Sequence, residues 1–113
     1  MTLRELRNII LKVVDASTSY DPSTYKGGMH GHCFAVAYVV QHYFGGNIVS
    51  GIVNDERHGW NQLPDGTFVD LTSCQFGGDG FSPLSNKFKV FASKTINKRF
   101  LVLLEKVEAE IRK

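Results

Sequence analysis

Residues 26–40 read Lys26-Gly27-Gly28-Met29-His30-Gly31-His32-Cys33-Phe34-Ala35-Val36-Ala37-Tyr38-Val39-Val40, a glycine-rich stretch running into an apolar one with a thiol at the junction. The apolar run stops at Gly45-Gly46, where a glycine can take the left-handed C-cap conformation, so the spacing predicts a helix over 33–44. Its apolar residues lie on nearly every side, the pattern of a helix surrounded by protein, with Gln41 and His42 marking the end nearest water. Cys33 then falls in the first turn. Unpaired backbone N–H groups and the positive end of the helix dipole favour a thiolate over a thiol there, which makes Cys33 a candidate nucleophile.

Downstream, 47–54, about 58–63 and 67–72 read as strands, with Asp55-Glu56-Arg57 turning between the first two. The second turn, Leu63-Pro64-Asp65-Gly66-Thr67, is the more informative. Proline presets its first position, Asp suits the second and Gly the left-handed third, which favours a type I turn with a glycine bulge and pairs Leu63 with Thr67. Counting outward, Trp60 opposes Asp70, and His58 and Asp70 become diagonal neighbours on one face of the hairpin. A slip of one residue would separate them onto opposite faces.

Upstream, Leu3, Leu6, Ile10 and Val13 recur at helical spacing, and Thr2 and Glu5 are spaced as a capping box, so an amphipathic helix is expected near 3–15. Residues 17–31 and 73–86 have loop composition, and long loops in small domains are often functional. Lys87 to Phe91 is a candidate short strand. Ile96, Phe100, Leu104, Val107 and Ile111 predict a terminal helix over about 95–112, with Arg112 and Lys113 at its negative end.

The chain has 113 residues, enough for one core but not for separate catalytic and recognition domains, so residues 1–113 are read as a single domain. A net charge of +2, with basic residues scattered among acidic ones, gives no reason to expect nucleic-acid or membrane binding. Met1 to Arg7 carries alternating charges where a signal peptide would need an apolar stretch, and no run approaches membrane-spanning length, so a cytoplasmic protein is expected. Two cysteines, Cys33 and Cys74, do not make a disulfide scaffold.

Acyl transfer by cysteine needs a thiolate to attack a carbonyl, an imidazole to hold the proton and return it, and an acceptor to orient that imidazole. Cys33, His58 and Asp70 fit those roles. Gly31-His32-Cys33 before the buried helix, His58-Gly59-Trp60 on a strand and Asp70-Leu71-Thr72 opposite it resemble the papain-like fold, most nearly its transglutaminase-like branch. The longer string, with Trp60-Asn61-Gln62-Leu63, Asp65-Gly66 and Asp70 to Phe76, resembles the YunG-like group of small bacterial proteins. The resemblance implies an α+β fold, with the cysteine helix packed on a small antiparallel sheet and helices flanking it at both ends of the chain. It also implies Cys33 as nucleophile, His58 as general base and acid, and Asp70 as the orienting group.

The substrate class that follows is a peptide, a protein or a small amide or ester. The Cys33 backbone N–H is one expected oxyanion donor. Papain has a glutamine shortly before its cysteine for the second donor and this chain does not, so His30, Lys26 and Gln75 are candidates, with Trp60 a wall or platform beside the site.

Each of these residues also has a plainer role. Cys33 alone is a small hydrophobe suited to packing, His58 a hydrogen-bonded structural residue, and Asp70 a turn cap. An inert binding or scaffolding module of the same fold is therefore the alternative to an enzyme. His30, His32, Cys33, His42, His58 and Cys74 are all metal-ligand types, which keeps a zinc module as a lesser alternative. Without a Cys-x-x-Cys or His-x-x-x-His pair, however, no metal or cofactor is assigned. Gly77-Gly78-Asp79-Gly80 lacks the Lys-Ser or Lys-Thr of a phosphate cradle and reads as a loop at the rim of the site.

Overall fold

The computed structural model describes residues 1–19, 21–29, 31–76, 78–85, 87–91 and 98–113, without the side chains of 75, 76 and 91. The protein is α+β. Among the described residues, three helices, α1 (Leu3–Val13), α2 (Cys33–Phe44) and α3 (Lys98–Ile111), accompany four strands: β1 (Asn47–Val53), β2 (Glu56–Gln62), β3 (Phe68–Val69) and β4 (Phe88–Phe91). The strands form one sheet in the order β3-β2-β1-β4, antiparallel throughout.

The helix ends follow from local chemistry. The Thr2 hydroxyl accepts from the Glu5 N–H and the Glu5 carboxylate accepts from the Thr2 N–H, each at 3.1 Å, so α1 starts in a complete capping box. The helix stops at Val13, two residues short of the expected end. Asp15 has begun the next structure, its carboxylate accepting from the Ser17 N–H to start a single 3-10 turn over Ala16–Thr18. A second such turn, Pro22–Thr24, gives the 17–31 loop its shape.

The helix α2 runs over the 33–44 span predicted from its composition, and it buries Ala35, Val36, Ala37, Val39 and Val40. A fully buried valine or leucine is worth roughly 1.5–3 kcal/mol, so this face anchors the fold. Leu6 and Ile10 of α1 and Phe100, Leu103 and Val107 of α3 complete the core against it, together with Met29, Val69 and Leu71. α2 also lies against β2 and β1.

The first hairpin turns one residue earlier than its composition suggests. Asn54 and Asp55 both have positive φ (51° and 63°), the two-residue turn whose twist suits paired strands, so β2 already begins at Glu56. The second hairpin has the register its turn predicts. The Gly66 N–H donates to the Leu63 carbonyl at 2.9 Å and the Leu63 N–H to the Thr67 carbonyl at 2.8 Å, with Gly66 at φ +90°. Asn61 then faces Val69 and Gln62 faces Phe68. The third strand is shorter than the expected 67–72. The chain leaves the ladder at Asp70, whose side chain accepts from the Thr72 N–H and turns the backbone away.

The expected strand at 87–91 forms over Phe88–Phe91, on the far edge of the sheet beside β1. The final helix ends as expected, and residues 95–97 of its predicted start lie outside the described ones. Among the described residues, no helix is long and apolar enough to cross a membrane.

Candidate active site

Cys33 is the first residue of α2, so its backbone N–H has no acceptor within the helix. The thiol is half-buried, and both cysteines of the chain are free. His32, just before it, is fully buried, and its Nε2 lies 2.5 Å from the Thr18 hydroxyl. That hydroxyl donates to the Asp15 carbonyl at 2.9 Å and accepts from the Asp15 N–H at 3.1 Å. Its single hydrogen is thus spent, which makes His32 the donor in the contact. The ring of Tyr25 meets His32 edge-on at 5.6 Å. The start of the cysteine helix is therefore tied to the loop before it.

The strand β2 brings the imidazole. Two residues of β2 meet α2 directly: the Asn61 amide donates to the Ala37 carbonyl at 2.8 Å, and the Phe34 ring lies over Gly59. A Cβ at 59 would sit 2.6 Å from that ring, so only glycine allows helix and strand to approach this closely. Asn61 is 1% exposed, and its bond satisfies a donor that burial would otherwise strand.

His58 and Asp70, each 1% exposed, form a buried pair in which Nε2–H donates to Oδ2 across 2.7 Å. With Nε2 committed to Asp70, Nδ1 is the nitrogen left to face Cys33, which is near enough to act on the ring. Burial opposes a charged imidazole here. It is outweighed by the hydrogen bonds and charges of Asp70 and Cys33, and His58 is pushed up to about 9. Both neighbours therefore favour the charged form of the ring.

Asp70 is itself oriented on every side. Its Oδ1 accepts from the Thr72 N–H at 3.0 Å and the Thr72 hydroxyl at 3.1 Å, leaving Oδ2 to the imidazole. Its backbone N–H donates to the Phe81 carbonyl at 2.7 Å, and its own carbonyl accepts from the Ser73 N–H at 3.3 Å.

The structure brings Cys33, His58 and Asp70 together, three residues that the sequence separates by 25 and 12 positions. Trp60 is 2% exposed and packs beside His58 with ring centroids 5.7 Å apart, its Nε1 buried without a partner. His30 lies outside the described residues, as does the side chain of Gln75, and Lys26 is exposed. Among the described residues, no group of three or more His, Cys, Asp or Glu side chains is placed to hold a metal ion.

Sequence reasoning missed Thr72, Thr18, Asn61 and the Phe81 carbonyl. Only Thr72 had a local signal, since an aspartate two residues before a threonine is the pattern of a side chain accepting from the backbone just ahead of it.

One comparison reaches across the chain: residues 2–112 match the family described as YunG protein. The chain belongs to the YunG family. No curated protein and no solved structure matches it. For this YunG-family chain the chemistry must therefore be argued from its own side chains.

Proposed function

We propose that the protein is a thiol hydrolase or acyltransferase with a papain-like or transglutaminase-like arrangement, acting on an amide or ester through a thioester on Cys33. The single observation that carries this reading is the buried His58, whose Nε2–H donates to Asp70 at 2.7 Å while its ring lies beside the Cys33 thiol. An imidazolium beside a sulfur stabilises the thiolate, which is the nucleophilic form of cysteine.

In the reaction, the Cys33 sulfur attacks the carbonyl carbon and the C=O electron pair moves to oxygen, with the Cys33 backbone N–H as one donor to that oxyanion. When the pair returns, the C–N or C–O bond breaks, and His58 gives its proton to the departing amine or alcohol. The thioester remains. Water or an amine then attacks it as the now neutral His58 takes a proton, and the C–S bond breaks to release the acid or the new amide and restore the thiolate. Asp70 stays ionised throughout, holding the ring with Nε2–H toward itself.

The test is acylation by a small activated ester, p-nitrophenyl acetate, followed by intact-mass and peptide analysis. One acyl group per chain is expected, located on Cys33, lost in Cys33→Ser and formed about 100-fold more slowly in His58→Ala. Acyl groups spread over the lysines, or a rate indifferent to His58, would refute the enzyme and leave an inert binding module of the same fold.

A further inference from the structure

We propose that Arg4 and Arg7 of the N-terminal helix are positioning residues for the triad, because through Phe81 they hold the backbone carbonyl that fixes Asp70. The inference rests on the function proposed above and adds to it an element more than 60 residues away in sequence.

The need for such a device follows from where β3 ends. Val69 is its last residue, so the Asp70 N–H has left the sheet, and its acceptor is the Phe81 carbonyl at 2.7 Å. A carboxylate fixed at 2.7 Å from an imidazole is only as well placed as the backbone that carries it.

The segment bearing Phe81 is shaped by its own bonds. The Gly78 and Gly80 N–H groups donate to Ser73 at 3.0 and 2.8 Å, and the Asp79 carboxylate accepts from the Phe81 and Ser82 N–H groups at 2.8 and 2.7 Å. These bonds close the loop upon itself and upon Ser73. Anchorage to another element comes from the ring of Phe81, with the guanidinium carbons of Arg4 and Arg7 each 5.1 Å from its centroid.

Arg7 is more deeply committed than a surface arginine. A Cβ at Gly80 would lie 2.7 Å from its Nε, so the guanidinium packs directly on the loop backbone. That Nε is buried without a hydrogen-bond partner, and among the described residues neither arginine pairs with a carboxylate. Burying an unsatisfied donor costs stability. Stacking on Phe81 offsets part of this, and what the arrangement yields in return is a fixed loop behind Asp70. A local rule broken next to a functional group is where such a compensation is expected.

The experiment follows alkylation of Cys33 by iodoacetamide from pH 5 to 9 in the full chain, with urea unfolding to establish that each variant is folded. Arg4→Gln/Arg7→Gln and Phe81→Leu, which keeps the carbonyl but removes the ring, should each slow alkylation about fivefold at pH 6.5 and change the shape of the pH profile as Asp70→Asn does. Phe81→Tyr, which keeps the ring, should restore the rate to within about twofold. In an Asp70→Asn background the arginine changes should have no further effect, because their only route to the sulfur is gone. Arg4 is exposed, so Arg4→Gln alone carries the test if the double variant does not fold.

Wild-type alkylation in the arginine variants while Asp70→Asn is slow would overturn the inference and leave the triad standing. So would an undiminished arginine effect in the Asp70→Asn background. Alkylation unchanged by His58→Ala and Asp70→Asn would be a different failure, removing the proposed function itself and this inference with it.

Discussion

Replacing His58 by glutamine should remove a part of the folding free energy that depends on pH in a definite direction. Burial works against a charged ring at this position, but the hydrogen bonds and charges of Asp70 and Cys33 outweigh it and raise the group from 6.5 to about 9. At about 1.4 kcal/mol per pH unit, that difference corresponds to roughly 3 kcal/mol of stability. Because the folded protein binds the proton more tightly than the unfolded chain, the contribution is complete below pH 6.5, declines as pH rises, and is gone once pH passes about 9. Urea unfolding of the wild type and His58→Gln at pH 6, 7.5 and 9.5 measures it, and taking the difference between the two proteins cancels the titrating groups that His58 does not touch. The wild-type advantage should shrink by roughly 3 kcal/mol across that range. A difference that stays constant, or that grows with pH, would refute the argument that a charged imidazole is held between the carboxylate and the sulfur.

Two further outcomes separate packing from chemistry. Gly59→Ala would press a methyl group against the Phe34 ring, within 2.6 Å. It should cost about 1–3 kcal/mol in urea unfolding and also slow Cys33 alkylation, since Phe34 follows Cys33 directly on α2. Leu103→Ala, in a fully buried position on α3, should cost about 2–5 kcal/mol yet leave alkylation of the folded protein at the wild-type rate.

Much of what brings Cys33, His58 and Asp70 together is local chemistry. The bounds of α2 follow from an unbroken apolar run between two glycine signals, and the capping box at Thr2 and Glu5 needs only a three-residue spacing. The register that sets His58 diagonal to Asp70 is dictated by the five residues Leu63 to Thr67, because turn type and strand period together leave no freedom in the count. These are properties a short stretch of chain expresses wherever it is placed. The early turn at Asn54-Asp55 was also local, but it competed with a more polar segment one residue later and was not distinguished from it.

Tertiary structure alone decided how those pieces were secured. Nothing near Asp70 announces that its N–H will find the Phe81 carbonyl, nor does anything in α1 announce that Arg4 and Arg7 will stack on that residue. The same is true of Thr18 beneath His32 and of Asn61 on the Ala37 carbonyl. Each joins a side chain or backbone group to a partner at least 11 residues away, and such partners are chosen by how the elements pack. Composition and spacing therefore determined on which elements Cys33, His58 and Asp70 lie. Packing determined how rigidly they are held, because only packing places two distant polar groups within the few tenths of an ångström that a buried hydrogen bond requires.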